Sequence, residues 1–150
     1  MLEIVHGNIF DHPIENTVLA HGCNAQGKMG AGFAKILKDK YLQNYLAYQQ
    51  ANIDEPLKLG EVIYTNFDRH IANVITQLFY GRDGTIFVDY GAITHGLRDV
   101  VLYAKKRNLK IILPFIGAGY GGGNDERLLS IFKDVFSNHP ASLFLLDKQT

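Results

Sequence analysis

The sequence has one cysteine, no tryptophan and no excess of charge of either sign. A single thiol, Cys23, excludes an internal disulfide and any cysteine-based zinc cluster, and it fits a reducing, cytoplasmic setting. Fifteen Lys and Arg balance fifteen Asp and Glu. The chain therefore lacks the basic face that releases counterions from a nucleic-acid duplex, and sequence-specific nucleic-acid binding is not expected. No apolar run approaches the ~20 residues that span a bilayer. Met1-Leu2-Glu3 opens directly on a strand-like segment, without the basic and apolar regions of a signal peptide, so no membrane partner is expected. The histidines lack ligand spacing such as H-x-x-x-H, so neither a metal site nor a cofactor is expected. There is no internal repeat, low-complexity segment or linker, and 150 residues fit one domain spanning 1–150. The pattern is silent on oligomeric state.

What is abundant is glycine, fifteen residues, and most of it is concentrated. One stretch reads Leu19-Ala20-His21-Gly22-Cys23-Asn24-Ala25-Gln26-Gly27-Lys28-Met29-Gly30-Ala31-Gly32-Phe33-Ala34: an apolar strand, a glycine-rich turn, the start of a helix. A second repeats the plan: Ile111 to Ile116, then Gly117-Ala118-Gly119-Tyr120-Gly121-Gly122-Gly123-Asn124. Turns of this kind point backbone N–H groups into open space beside the positive end of a helix dipole, which suits phosphate. Two of them together suit a diphosphate.

The elements follow from periodicity. Strands are expected over Leu2–His6, Thr17–Cys23, Gly60–Asn66, Ile71–Gln77, Lys110–Ile116 and Ser142–Leu146, the third and fourth forming a hairpin. Phe33, Ile36, Leu37 and Tyr41 make the apolar face of a first helix, which Tyr45 and Tyr48 continue as a second, kinked segment. A loop follows over Phe79–Gly84. Ile93, Leu97, Val100, Val101 and Ala104 form the buried stripe of a second helix over Tyr90–Arg107. Asn124 caps a third, with Leu128, Leu129, Phe132, Val135 and Phe136 inward. Alternation of strand and helix implies an α/β fold: a mixed, mainly parallel sheet with helices on both faces, its ligand at the C-terminal ends of the strands.

Two familiar nucleotide motifs fit poorly. Gly22 to Lys28 matches G-x-x-x-x-G-K, but Met29 stands where Ser or Thr should hold Mg²⁺. Gly117 to Gly122 matches G-x-G-x-x-G, but only one strand follows, whereas a dinucleotide fold has its fingerprint at the first. Both turns together tell more. Gly7-Asn8-Ile9-Phe10 after the first strand, Asn24 after the second, Met29 to Ala34 opening the first helix, and Ile116-Gly117-Ala118-Gly119 after the fifth strand resemble the macrodomain family in nearly the whole chain and in the right order. The resemblance is to the compact branch of ADP-ribose 1''-phosphate phosphatases and terminal ADP-ribose hydrolases. It implies a three-layer α/β/α sandwich that binds ADP-ribose or ADP-ribose 1''-phosphate across the top of the sheet.

By that resemblance Asn8, in place of the family's Asp, receives the adenine amino group without charge assistance, and Ile9 packs on the ring; alternatively Asn8 ends a turn and Ile9 fills the core. Asn24 bonds the distal ribose. Met29, Gly30, Ala31 and Gly32 line the diphosphate from one side; Ile116, Gly117, Ala118, Gly119 and Gly121 line it from the other. Tyr120 closes over the distal ribose. Since Asp125 and Glu126 open the third helix, most phosphate contact falls to the first helix and the loops, near Lys28. The family's lysine-dependent hydrolases carry a Lys where Gln77 stands, and an acid near Gly121, with Asn124 and Asp125 displaced from it. Both departures count against that lysine-dependent chemistry; the resemblance implies instead a metal-independent phosphatase in which His21 orients water, with Asn24 and Tyr120 beside it. The alternatives are a buried structural His21, a non-catalytic ADP-ribose reader, or a hydrolase of ADP-ribosylated protein or nucleic acid. Cys23 lacks the C-x₅-R context of a phosphatase nucleophile and is read as core.

Overall fold

The computed structural model describes residues 1–30, 32–79, 88–118 and 122–146. The chain runs β1 (Leu2–His6), a short 3₁₀ turn (Ile9–Asp11), β2 (Thr17–Asn24), α1 (Gly32–Lys40), α2 (Leu42–Asp54), β3 (Val62–Asn66), β4 (His70–Gln77), α3 (Tyr90–Arg107), β5 (Lys110–Pro114), α4 (Asp125–Val135) and β6 (Ala141–Leu145). The strands form one sheet in the order β1-β6-β5-β2-β4-β3. All neighbours are parallel except β3, which runs antiparallel to β4.

The sheet is covered on both faces, which is why β2 and β4 read as near-continuous apolar runs. On one face α3 and α4 bring Ile93, Leu97, Leu128 and Phe132 against Val18, Ala20, Val74, Ile111 and Leu113. On the other, Leu37 of α1 meets Leu19, Ile71 and Ile112, and Tyr48 of α2 meets Cys23, Met29 and Ile75. This is the expected three-layer α/β/α sandwich.

The helical stripes of α3 and α4 are placed as the periodicity requires. The second segment expected after the first helix is a helix of its own, divided from it at Tyr41, which adopts φ −131° and ψ 70°. The division turns Tyr45 and Tyr48 onto their own helix and leaves Ile36 exposed. In the loop expected over Phe79–Gly84, residues 80–84 lie outside the described residues. No helix among the described residues is long and apolar enough to cross a membrane.

Strand order creates the functional geometry. From β2 the chain moves outward to β3 and β4; from β4, helix α3 carries it back past β2 to β5. The direction of winding therefore reverses between β2 and β5. At such a switch point the connections leave to opposite sides and open a crevice at the C-terminal strand ends.

Candidate ligand crevice at the carboxyl ends of the strands

Both glycine-rich segments leave the strands that flank the switch point. The β2–α1 connection departs beside the β5–α4 connection, and neither contains an acidic residue. β1 lies three strands from β2, about 14 Å at ordinary strand spacing. Asn8 at the end of β1 and Asn24 at the end of β2 thus bracket a row of strand ends that suits an elongated ligand.

Asn24 organises the first loop. A register shift between Cys23 and Asn24 ends the regular pairing of β2 with β4. The Asn24 side chain is buried; its Oδ1 accepts from the N–H of Gln26 at 3.0 Å, the N–H of Lys28 at 3.3 Å and the hydroxyl of Tyr48 at 2.9 Å. Its Nδ2 donates to the Lys28 carbonyl at 2.8 Å, which leaves one amide hydrogen unassigned. Tyr48, fully buried, also donates toward the Asn24 carbonyl at 2.5 Å, and burial pushes its own ionisation far up, so it stays a donor. Tyr48 was legible only as an apolar helix position. The signal it carried was being Tyr rather than Phe, since a buried phenol hydroxyl needs a partner.

Asn24→Ala removes the acceptor of three donors at once. It should lower unfolding stability by about 2 kcal/mol or more and disorder residues 25–30. Asn24→Asp keeps the acceptor but sets a carboxylate oxygen against the Lys28 carbonyl in place of the Nδ2 donor, so it should recover only part of that loss, as denaturant unfolding of both variants would show.

Beyond Asn24 the loop alternates anchor and opening. Met29 is buried with Cys23, Tyr48, Leu57 and Ile75, so it fixes the loop to the core and does not line the crevice. Gly30 is exposed, and among the described residues no heavy atom lies within 4 Å of where a Cβ would stand. Gly32 starts α1 with φ +60°. Ala31 lies outside the described residues.

On the β5 side, Ile116 is buried in the α3/α4 core, while Ala118 is partly exposed at its edge. Gly117 adopts φ +86°, and a Cβ there would stand 3.1 Å from Ile93, Leu128 and Val88. Only glycine fits that turn. Gly119, Tyr120 and Gly121 lie outside the described residues. Asn124 caps α4 by accepting from the N–H of Arg127 at 3.0 Å, with Asp125 and Glu126 in the first turn, as expected.

Two residues expected on the adenine side have structural roles in the fold. Asn8 caps the 3₁₀ turn, its Oδ1 accepting from the Phe10 N–H at 2.9 Å. Ile9 is buried against Leu19, Ile112 and Phe144 on the α1/α2 face of the sheet. A capping amide and a core aliphatic account for both residues without a ligand. Gln77, at the end of β4, donates its Nε2 to the Phe79 carbonyl at 2.5 Å and so shapes the strand exit.

His21 is fully buried beneath the crevice. Its Nε2 lies 2.6 Å from Asn73 Oδ1. That oxygen can only accept, so Nε2 carries the proton. Asn73 in turn exchanges hydrogen bonds with Asn44, which accepts from the Thr65 hydroxyl at 2.6 Å. Burial, partly opposed by the hydrogen bond to Asn73, lowers the His21 pKa from 6.5 to about 4. His21 is therefore a neutral member of a closed polar network linking β2, β3, β4 and α2, and the structure does not bring it to water in the crevice. Cys23 sits 3.4 Å from His21 Nε2, with its thiol pushed up by burial and so inert, in accord with a core role. Among the described residues, no group of three or more His, Cys, Asp or Glu is placed to hold a metal ion.

No family model matches the sequence. Among solved structures, the chain resembles the macrodomain of Thermus aquaticus DarG, with a TM-score of 0.82 and 24% identity over 99% of both chains. The chain has the macrodomain fold. Thermosipho africanus DarTG in complex with ADP-ribose carries the same fold in part of its length: 99% of this chain matches 43% of that one, with a TM-score of 0.82 and 20% identity. Among curated proteins, an ADP-ribose 1''-phosphate phosphatase of Candida albicans is 32% identical over 53 residues, and one of Meyerozyma guilliermondii is 38% identical over 48. These matches span about a third of this chain and 34% and 27% of those relatives.

Proposed function

We propose that this chain binds ADP-ribose in the β2/β5 crevice and removes the terminal phosphate of ADP-ribose 1''-phosphate without a metal. The observation that carries the reading is the pair of acid-free glycine loops leaving adjacent strands at the point where the sheet reverses its winding. Backbone N–H groups of the two loops and the N-terminus of α1 would receive the diphosphate. Gly30 leaves it room. The unassigned amide hydrogen of Asn24 would reach a hydroxyl of the distal ribose, and Tyr120 would cover that sugar. At the other end, Asn8 retains a second lone pair on Oδ1 for the adenine amino group. The resemblance to a bound DarTG and to the two curated phosphatases supports the ligand class.

In the reaction, water attacks phosphorus, the bond from phosphorus to the ribose oxygen breaks, and the water proton passes to that oxygen. The products are ADP-ribose and phosphate. His21, neutral and sealed, supports β2 from below, and water activation falls to other groups.

The test is phosphate release from ADP-ribose 1''-phosphate on EDTA-treated protein, with ADP-ribose binding measured on the same sample. Saturable binding with release that survives EDTA is expected. Absence of ADP-ribose binding would overturn the pocket. Binding without release would support a second reading, a non-catalytic ADP-ribose reader, which the burial of His21 and the Gln77 at the end of β4 favour.

A further inference from the structure

Both glycine loops are tied to the end of β4, and the tie to the second runs through one side chain. On the first side, Asn24 pairs with Gln77, and the Ala25 N–H donates to the Gln77 carbonyl at 3.0 Å. The chain returns to the same place before α3. Val88 bridges to Gln77, and the Asp89 N–H donates to the Thr76 carbonyl at 2.7 Å. Tyr90, the next residue, opens α3. Its hydroxyl accepts the backbone N–H of Asn124 at 2.9 Å. Asn124 ends the second glycine loop and caps α4. A run of bonds therefore crosses from one loop to the other by way of the β4 end.

The second loop hangs on that point. The Gly123 N–H donates to the Gly117 carbonyl at 2.8 Å and closes the loop on itself. A Cβ at Gly123 would stand 2.8 Å from the Gly117 carbonyl oxygen and 2.9 Å from Leu128, so the two ends meet as closely as glycine allows. The Tyr90 ring packs at the margin of the α3/α4 core, and the Arg127 guanidinium lies over it, 3.8 Å from the centroid. Core contact and a cation over its face hold the ring in place. Among the described residues, no other side chain from outside the loop bonds the backbone between Gly117 and Asn124.

We propose that Tyr90 is a positioning residue for the diphosphate: through Asn124 its hydroxyl sets the second glycine loop at the spacing from the first that lets the N–H groups of both reach one ligand. This role rests on the ADP-ribose reading of the crevice and assigns to it a residue that touches no ligand. Without the bond the loop samples other positions, and binding must first restore the right one, which weakens apparent affinity. A lost hydrogen bond of this kind corresponds to about a fivefold weakening.

The experiment is a ¹⁵N–¹H NMR titration of the full chain with ADP-ribose and, separately, with adenosine, for the parent, Tyr90→Phe and Tyr103→Phe. Tyr90→Phe removes one oxygen and keeps the ring and its packing. Tyr103 lies near the other end of α3, 2.7 Å from His70 Nδ1, so its variant controls for a general loosening of that helix. Tyr90→Phe should bind ADP-ribose about fivefold more weakly and exchange the Asn124 amide hydrogen faster. Its affinity for adenosine, which has no phosphate, should not change, and Tyr103→Phe should match the parent for both ligands. A parent chain that binds no ADP-ribose would overturn the crevice reading itself. A parent that binds, with equal affinity in Tyr90→Phe, would overturn the positioning role alone. An equal loss in Tyr103→Phe, or an equal loss for adenosine, would also overturn it, since either marks a general effect on the fold.

Discussion

Gly30→Val should fold as stably as the parent chain and lose ADP-ribose binding by about 100-fold or more. The two halves of that expectation rest on separate facts. Gly30 does not use a positive φ, and a Cβ built there meets no atom within 4 Å among the described residues. The described part of the ligand-free protein therefore accommodates a Cβ at this position without strain. The same open space is what the proposed reading gives to the diphosphate, so three added carbons would occupy the ligand's position beside the loop N–H groups. Calorimetric titration with ADP-ribose and denaturant unfolding on one preparation would read both quantities. Unchanged affinity would place the ligand elsewhere. Gly117 offers the contrast, because a side chain there meets a positive φ and the α3/α4 core. Gly117→Val should reduce stability itself, so only Gly30 separates binding from folding.

The second large effect is acid sensitivity centred on His21. In the unfolded chain it titrates near 6.5; in the folded chain burial holds it at about 4. Because the folded value is depressed, the neutral ring is the form compatible with the fold. Above pH 6.5 neither state binds the proton, and stability is full. As pH falls from 6.5 to 4 the unfolded chain takes up a proton that the folded chain refuses. Stability should therefore decline by about 3 kcal/mol across that window and level off below it. His12 and His70 are shifted in the same direction, mainly by burial, and add to the slope. The assignment is checked by His21→Asn, which keeps a neutral hydrogen-bonding side chain. Its unfolding free energy should show about one proton less of pH dependence between 6.5 and 4. An unchanged slope would mean that His21 does not carry the effect.

The same residue shows the limit of reading a site from its letters. His21 lies three positions before Asn24 at the end of a strand that points toward the ligand, and a histidine in that place suits water activation. Strand alternation turns it onto the α1/α2 face, where Asn73 and Asn44 close over it. Those two residues are 52 and 23 positions away in the chain, so nothing local announces the network. Ile9 was ambiguous, and Met29 was placed on the diphosphate, for a related reason: an apolar side chain beside a binding loop packs equally well on a ligand or on the core, and only the position of the covering helices decides.

What the sequence determined by itself is the part set by local chemistry. Period-two and near-continuous apolar runs placed the strands, three- and four-residue spacing placed α3 and α4, Asn124 marked the start of α4, and glycine clusters after apolar strands marked the two loops. From these, together with the order of four short motifs, the macrodomain fold followed. What only the tertiary structure decided is everything that depends on strands meeting out of sequence order. It set β2 beside β5 so that the two loops face one crevice. It divided α1 from α2 at Tyr41 and brought Tyr48 under Asn24. It buried His21, and it set the Tyr90 hydroxyl against the Asn124 N–H. Such pairings are fixed by burying both faces of the sheet at once, and no segment carries that constraint alone.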